Sequence, residues 1–256
     1  MVLQAQEGRL TAAGVTTSAV RVLVATAVPA ERDAVAGAFP GGTSEVRLPG
    51  SALLHRTGAG YDLLAAGVGP APAAAGTATA LTAAALEGRP YALVVSAGIA
   101  GGFQPMAPVG SVVVADEIIA ADLGAETADG FLPVTELGFG TVSHRPANSL
   151  VRVTAQAVGA RLGAVLTVST VTGTAARAAE LLARHPRALA EAMEGFGVAE
   201  AAAAHAVPVL EIRAVSNPVG PRDRAAWRIG DALAALTEAF GKLAPALESW
   251  NPHDHR

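Results

Sequence analysis

Three short apolar runs each carry the chain into a turn rich in glycine or proline, and this repeated pattern constrains the fold more than any other feature. Arg21-Val-Leu-Val-Ala-Thr26 leads to Pro29, Asp62 to Ala66 leads to Gly67-Val-Gly69, and Tyr91-Ala-Leu-Val-Val-Ser96 leads to Gly98-Ile-Ala-Gly-Gly102. Unbroken apolar runs of this length, punctuated by glycine, mark strands buried on both faces. Further strands fit Ala52 to Thr57, joined to the Asp62 run by the hairpin-like Gly58-Ala-Gly60, and Ser111 to Ala115, Ala164 to Val171 and Val207 to Val215. Helical stretches alternate with them: Pro29 to Phe39, an Ala/Thr/Leu-rich stretch ending about Leu86, Leu150 to Leu162, Ala175 to Arg184, about Glu194 to His205, and about Arg224 to Leu247. Strand and helix in alternation predict an α/β single domain, in which a mixed, mostly parallel central sheet is flanked by helices.

A chain of 256 residues, half of them apolar, can fill one large core, and no internal repeat or linker divides it. Residues 1–18 are small, polar and aperiodic and read as a disordered extension, the domain as 19–248, and 249–256 as a tail. His253 and His255 in that tail fit a frayed end. The stretch Ala120 to Asn148 lacks periodicity and reads as a long loop or insertion, the kind of segment that often carries function. No apolar run approaches the roughly 18 residues that cross a bilayer. A net charge of -4, with Lys242 the only lysine, leaves no electrostatic footprint for nucleic acid. No basic segment followed by an apolar one opens the chain, so a cytoplasmic protein is expected.

The absence of cysteine excludes disulfides and thiolate chemistry. No GxSxG elbow or HExxH spacing occurs, so neither a serine triad nor a metal site is signalled, and no cofactor is expected. The glycine segments match neither GxGxxG nor a phosphate-binding loop with its lysine, which argues against a dinucleotide-dependent dehydrogenase. They do follow strands, where an α/β sheet opens its ligand crevice. Glu31, just after the first strand, is either a general base at that crevice or a charge favouring a helix N-terminus. Glu194 sits in Ala-Met-Glu-Gly-Phe-Gly, ahead of a helix of small apolar residues. A carboxylate entering such surroundings needs a partner, and sugar hydroxyls would serve. Glu191 and Glu200, on neighbouring faces, fit ordinary surface charges. Asn217, at the end of the last strand, is either a turn residue or a group that reads a ligand.

Taken in order, these segments resemble one family. Val24-Ala-Thr-Ala-Val-Pro-Ala-Glu31 is similar to the first strand and helix of the methylthioadenosine/S-adenosylhomocysteine nucleosidases, where Glu31 holds the place of the catalytic Glu. Gly67-Val-Gly-Pro-Ala-Pro and Gly98-Ile-Ala-Gly-Gly resemble their second and third glycine loops. Met193-Glu194 resembles the pair that holds the ribose, and Val209 to Asn217 the final strand. The resemblance runs from about Arg21 to Leu247 and implies the three-layer nucleoside phosphorylase-like fold, a small-molecule nucleoside as partner, and a homodimer or larger homo-oligomer.

Two departures refine it. Those enzymes carry Asp where this chain has Asn217. A 6-oxopurine leaving with N7 protonated offers an O6 acceptor and an N7–H donor, which the amide of Asn217 matches from both of its ends. An ionised Asp facing O6 would repel it, so the base is expected to be hypoxanthine or guanine. The third glycine loop also lacks the arginine that phosphorylases of this superfamily place there, leaving water as the nucleophile; Arg32, near Glu31, reads equally as a surface residue. With Val168-Ser-Thr-Val-Thr-Gly-Thr174 and Ser216-Asn-Pro-Val-Gly-Pro-Arg222, the Asn variant is similar to the futalosine hydrolases, which release hypoxanthine on a route to menaquinone. That resemblance makes Glu31 the base, Glu194 the ribose and oxocarbenium partner, and Asn217 the stabiliser of the departing purine. Gly101 and Thr172 would complete the pocket with backbone groups. Arg222, Arg224 or Arg145 would take a carboxylate on the tail beyond the ribose, with Phe131, Phe139 or Phe196 under its ring. The alternatives are an inosine-type hydrolase or phosphorylase, and a silent nucleoside-binding protein on the same fold.

Overall fold

The computed structural model describes residues 21–248 and Trp250; the expected extension over 1–18, and the tail histidines His253 and His255, lie outside the described residues. In chain order the elements are β1 (Val22–Thr26), α1 (Pro29–Ala36), β2 (Thr43–Arg47), β3 (Leu53–Thr57), β4 (Tyr61–Ala65), α2 (Pro70–Leu86), β5 (Leu93–Gly102) and β6 (Val112–Ala120). They continue as β7 (Gly124–Thr127), β8 (Gly130–Pro133), β9 (Ser143–His144), α3 (Asn148–Val158), β10 (Arg161–Thr167), α4 (Ala175–Arg184), β11 (Ala188–Ala192), α5 (Gly195–Ala204), β12 (Val209–Pro218) and α6 (Ile229–Glu248).

β1 is buried at every position, as its unbroken apolar run requires. It lies between β4 and β5, parallel to both. The full order is β11-β10-β6-β12-β5-β1-β4-β3-β2, with β9 added beside β6. β5 and β12, β6 and β10, and β10 and β11 also run parallel, whereas β12 meets β6 antiparallel and the β2-β3-β4 edge is antiparallel throughout. α1, α3 and α6 cover one face over a core that includes Val24, Val35, Leu150, Leu236 and Phe240; α2 and α5 cover the other, over Leu23, Leu64, Leu81 and Val198. The predicted single three-layer α/β domain with a mixed, mostly parallel sheet is therefore the observed one.

Several predicted boundaries differ. β5 does not stop at Ser96: Gly98 to Gly102, expected to be a loop, is the second half of the strand. α3 ends at Val158 because Gly159 turns left-handed (φ 69°), so Arg161 and Leu162 open a strand instead of closing a helix. The segment 120–148 contains the β7–β8 hairpin and β9 where a long loop was expected. Arg224–Ala226 is a separate 3-10 turn, and α6 begins at Ile229.

Besides β7, β8 and β9, two further strands escaped the sequence pattern altogether. β2, Thr-Ser-Glu-Val-Arg, is an edge strand with almost every residue exposed, so no apolar alternation marks it. β11, Ala-Leu-Ala-Glu-Ala, is built of good helix formers, and its strand conformation comes from pairing with β10. It also pairs antiparallel with the far end of β5, setting Ala190 against Gly102 and Glu191 against Gly101. That second pairing curls the sheet so that β11, β5 and β12 converge at one end.

Candidate active site

At that convergence lies a cleft of about 230 Å³. Its walls are apolar at Val28, Ile99, Val171, Met193, Val219 and Trp227, and its polar groups are few. Of the candidates named from the sequence, Glu31, Gly101, Thr172, Met193, Glu194, Asn217 and Arg222 line it.

Glu31 stands in the first turn of α1 and is 4% exposed. Its Oε2 accepts from the Ala27 and Val28 N–H groups (2.9 and 3.3 Å), and its Oε1 from Ile99 N–H (2.9 Å). It caps its own helix and also lines the cleft. Burial raises its pKa above the ordinary carboxylate value and Glu194 adds to that, while Arg213 and the backbone donors pull the other way.

Glu194, 6% exposed, directly precedes α5. Its partners are protein groups: Oε1 accepts from Gly69 N–H (3.2 Å), and Oε2 faces Arg213 Nη1 (3.2 Å). Gly69 holds φ 91°, a conformation open to glycine, and this turns its N–H toward the carboxylate. The second glycine segment thus serves the site by aiming a donor.

The centre of the cluster is Arg213, which the sequence reading did not single out. Its side chain is fully buried in β12, with Nε on Glu211 Oε1 (2.8 Å), Nη1 on Glu194 and Nη2 on Ser96 Oγ (3.1 Å). Desolvation opposes its charge, but Glu211, Glu194 and Glu31 outweigh that and raise its pKa. A Cβ on Gly98 would stand 2.6 Å from Glu31 Oε1 and 2.8 Å from Arg213 Nη1. A cation therefore does sit beside the third glycine segment, contrary to the reading of the loop alone. It comes from another strand and is already shared among two carboxylates and a serine. The signal available was Glu211-Ile-Arg213: two charges at a spacing of two in an apolar strand share a face and satisfy each other. Because the space over Gly98 holds the working ends of Glu31 and Arg213, Gly98→Ala should lower kcat by about 10- to 100-fold with little loss of fold. An ångström of misplacement is worth about that much, and steady-state kinetics with a melting curve will separate the two effects.

Asn217 follows an irregularity in the β12 register and lies opposite Gly101 of β5. Its Oδ1 accepts from Ser216 Oγ (2.8 Å), and its Nδ2 donates to the Pro218 carbonyl (3.0 Å). One acceptor and one donor valence of the amide are spent in fixing its plane, and one of each remains. Glu191, expected to be a surface charge, is 5% exposed and lines the cleft, accepting from Thr172 N–H (2.8 Å) and Thr172 Oγ (2.5 Å). Glu200, by contrast, is an exposed residue paired with His144. Arg222 lies at the mouth with its guanidinium 5.7 Å from the Trp227 ring centroid.

The other tail candidates are elsewhere. Arg145 is exposed and bridges to Glu117, and Arg224 belongs to the 3-10 turn outside the cleft lining. Phe131 packs under Arg184, Phe139 is 63% exposed, and Phe196 packs against His144. Arg32 bonds to Asp33 and does not line the cleft. Among the described residues no three His, Asp or Glu side chains cluster so as to hold a metal ion, and no helix is long and apolar enough to cross a membrane.

Comparison with known proteins shows the family and the fold. The profile of the phosphorylase superfamily matches residues 21–247. A futalosine hydrolase of Streptomyces coelicolor is 77% identical over 233 residues, covering 91% of this chain and 99% of the relative. A futalosine hydrolase of Acidothermus cellulolyticus is 46% identical over 89% of this chain and 91% of its own. Among solved structures, the 5′-methylthioadenosine/S-adenosylhomocysteine nucleosidase of Colwellia psychrerythraea, in complex with adenine, superposes with a TM-score of 0.76 at 19% identity, covering 90% of this chain and 96% of that one. The futalosine hydrolase of Helicobacter pylori gives a TM-score of 0.73 at 17% identity, over 90% and 97% of the two chains. At these identities the structural likeness speaks for the fold alone.

Proposed function

The chain belongs to the phosphorylase superfamily and, within it, to the futalosine hydrolases, and on that premise we propose that it hydrolyses the N-glycosidic bond of futalosine, releasing hypoxanthine and leaving dehypoxanthine futalosine. The observation that carries this reading is the meeting of Glu31, Glu194 and Asn217, from three distant stretches of chain, in one largely apolar cleft.

In this mechanism Glu31 orients a water against the anomeric carbon and takes its proton as the oxygen bonds to C1′. The C1′–N9 bond breaks with its electron pair leaving on the purine, and the base gains a proton from solvent. Three carboxylates, Glu31, Glu194 and Glu211, surround the single guanidinium of Arg213, so the cluster favours the positive charge that develops on the sugar. Glu194 holds the ribose hydroxyls with lone pairs left over from Gly69 and Arg213, and Met193 packs beside it. The two free valences of Asn217 meet O6 and N7–H. Arg222, over Trp227, receives the carboxylate of the substrate's tail. Backbone groups at Gly101 and Thr172 line the base. The same reading places the protein in the cytoplasm, on the route to menaquinone, without a cofactor. It also makes the protein a homodimer or larger homo-oligomer.

The test is chromatographic. Free hypoxanthine should appear from futalosine at the same rate with and without phosphate, and inosine should be the poorer substrate. A requirement for phosphate would replace hydrolysis by phosphorolysis, and equal rates on inosine would favour a general nucleosidase. The pH profile adds a check on the base. Glu31 must be ionised to act, and burial raises its pKa. kcat/KM should therefore fall with acidification along a limb that lies above the pH range of an ordinary exposed glutamate.

A further inference from the structure

The mechanism above leaves one buried group in the cleft without a task. Glu191 of β11 and Asn217 of β12 are both register partners of Gly101 in β5. The three residues therefore stand abreast on neighbouring strands, with Glu191 and Asn217 about 10 Å apart at two strand spacings. Directly opposed residues share a face of the sheet, and all three line the cleft. Gly101 between them carries no side chain, and a Cβ there would meet Val219 Cγ2 at 2.9 Å and Asn217 Nδ2 at 3.3 Å. Val219 Cγ2 and Asn217 Nδ2 thus take the space over Gly101, and a hydrogen-bonding side chain stands on either flank of it.

Thr172 supplies two donors to Glu191, one to each oxygen. A carboxylate has about four lone-pair sites, so two are used in fixing its position and two remain. Burial raises the pKa of Glu191, and the two Thr172 donors pull the other way, toward the ionised, acceptor-only form. A 6-oxopurine carries a donor that Asn217 does not reach: with O6 and N7–H on the amide, N1–H points from the adjoining edge of the ring, on the other side of O6. A 6-aminopurine carries a bare lone pair at that position. We infer that Glu191 is the second base-reading residue, its carboxylate accepting the N1–H of the 6-oxopurine and repelling the N1 lone pair of a 6-aminopurine. The inference rests on the proposed hydrolysis of a 6-oxopurine nucleoside and extends its specificity from one edge of the base to both.

The test uses the whole protein, the variant Glu191→Gln, and two pairs of probes: futalosine against purine riboside, and hypoxanthine against purine. Purine riboside lacks both O6 and N1–H. In the variant, Oε1 keeps the Thr172 N–H and one spare lone pair, Nε2 donates to the Thr172 hydroxyl, and the spare lone pair of Oε2 is replaced by an N–H donor. kcat/KM for futalosine and the affinity for hypoxanthine should each fall by about 10- to 100-fold, the worth of a hydrogen bond to a charged group. Purine riboside and purine should be unaffected or favoured. An equal loss on both members of each pair would overturn the inference, because it would mean that Glu191 merely anchors the segment around Thr172; no loss on either would overturn it as well. If the variant does not fold, the wild-type protein still decides: 1-methylhypoxanthine, which keeps O6 and loses the donor, must bind at least tenfold more weakly than hypoxanthine, and equal affinity sinks the idea. Wild-type protein that frees no base from futalosine or inosine would overturn the functional reading itself. Release of base with no discrimination at N1 would overturn only the role of Glu191.

Discussion

Glu31→Gln should lower kcat on futalosine by about 10²- to 10⁴-fold, the usual worth of a positioned general base, while ligand affinity changes by no more than a few-fold. The amide keeps the volume of the carboxylate, so the cleft stays the same shape. It cannot take a proton from water, and it cannot satisfy the same neighbours. Ala27, Val28 and Ile99 all aim N–H groups at the two oxygens of Glu31, and an amide offers an acceptor on one side only. The variant therefore loses some stability as well as its base. Binding of hypoxanthine or a non-hydrolysable nucleoside, measured by calorimetry, separates the two losses. The acid limb of the rate profile should vanish with the side chain that titrates there. Turnover within a few-fold of wild type would remove Glu31 as the base and leave it a helix cap.

How far the sequence reached depended on whether a residue's purpose is written beside it in the chain. Glu31 and Glu194 were legible because each is a carboxylate at the edge of a small, apolar segment, and Asn217 because it ends a strand in a fold that binds ligands at strand ends. Gly98 to Gly102 was legible as important but not as strand, since five residues with three glycines carry no β pattern. Arg213 was not found because its partners, Ser96 and Glu194, come from distant sequence. Glu191 was misjudged for a related reason. Ala188-Leu-Ala-Glu-Ala is made of good helix formers, carries no β pattern and is assigned to no strand, so Glu191 groups with Glu200 as a surface charge. The strand pairing that turns it into the cleft is a tertiary effect, and the irregular register between β10 and β11 leaves no trace in composition. Local pattern thus located the groups proposed to touch the sugar, while the groups that hold them became visible only through the sheet.

Arg213→Met is the substitution expected to cost the most stability. The guanidinium and Glu211 are both 0% exposed, and Glu194 is 6% exposed. Removing one partner of a buried ion pair typically costs about 3–5 kcal/mol, because the remaining charge has neither water nor a counter-ion. Here two paired carboxylates are stranded at once, with Glu31 facing them. The loss has a pH signature. Burial already raises the pKa of Glu211 against the pull of Arg213, so without the cation its folded pKa must rise further above the unfolded value. Such a group favours folding below its unfolded pKa, and that contribution is lost as pH rises through the folded pKa. The gap in urea midpoint between wild type and Arg213→Met should therefore narrow as the pH is lowered. Glu211→Gln supplies the cross-check. Its Oε1 can still accept from Arg213, and its amide group replaces an Oε2 that has no hydrogen-bond partner. The single variant should unfold near the wild-type midpoint, and in the Arg213→Met background it should recover part of the lost stability. A double-mutant cycle in which the two changes simply add would mean that Arg213 and Glu211 do not depend on each other, and the charge cluster would then lose its place as the frame that holds Glu194 and Glu31 in the cleft.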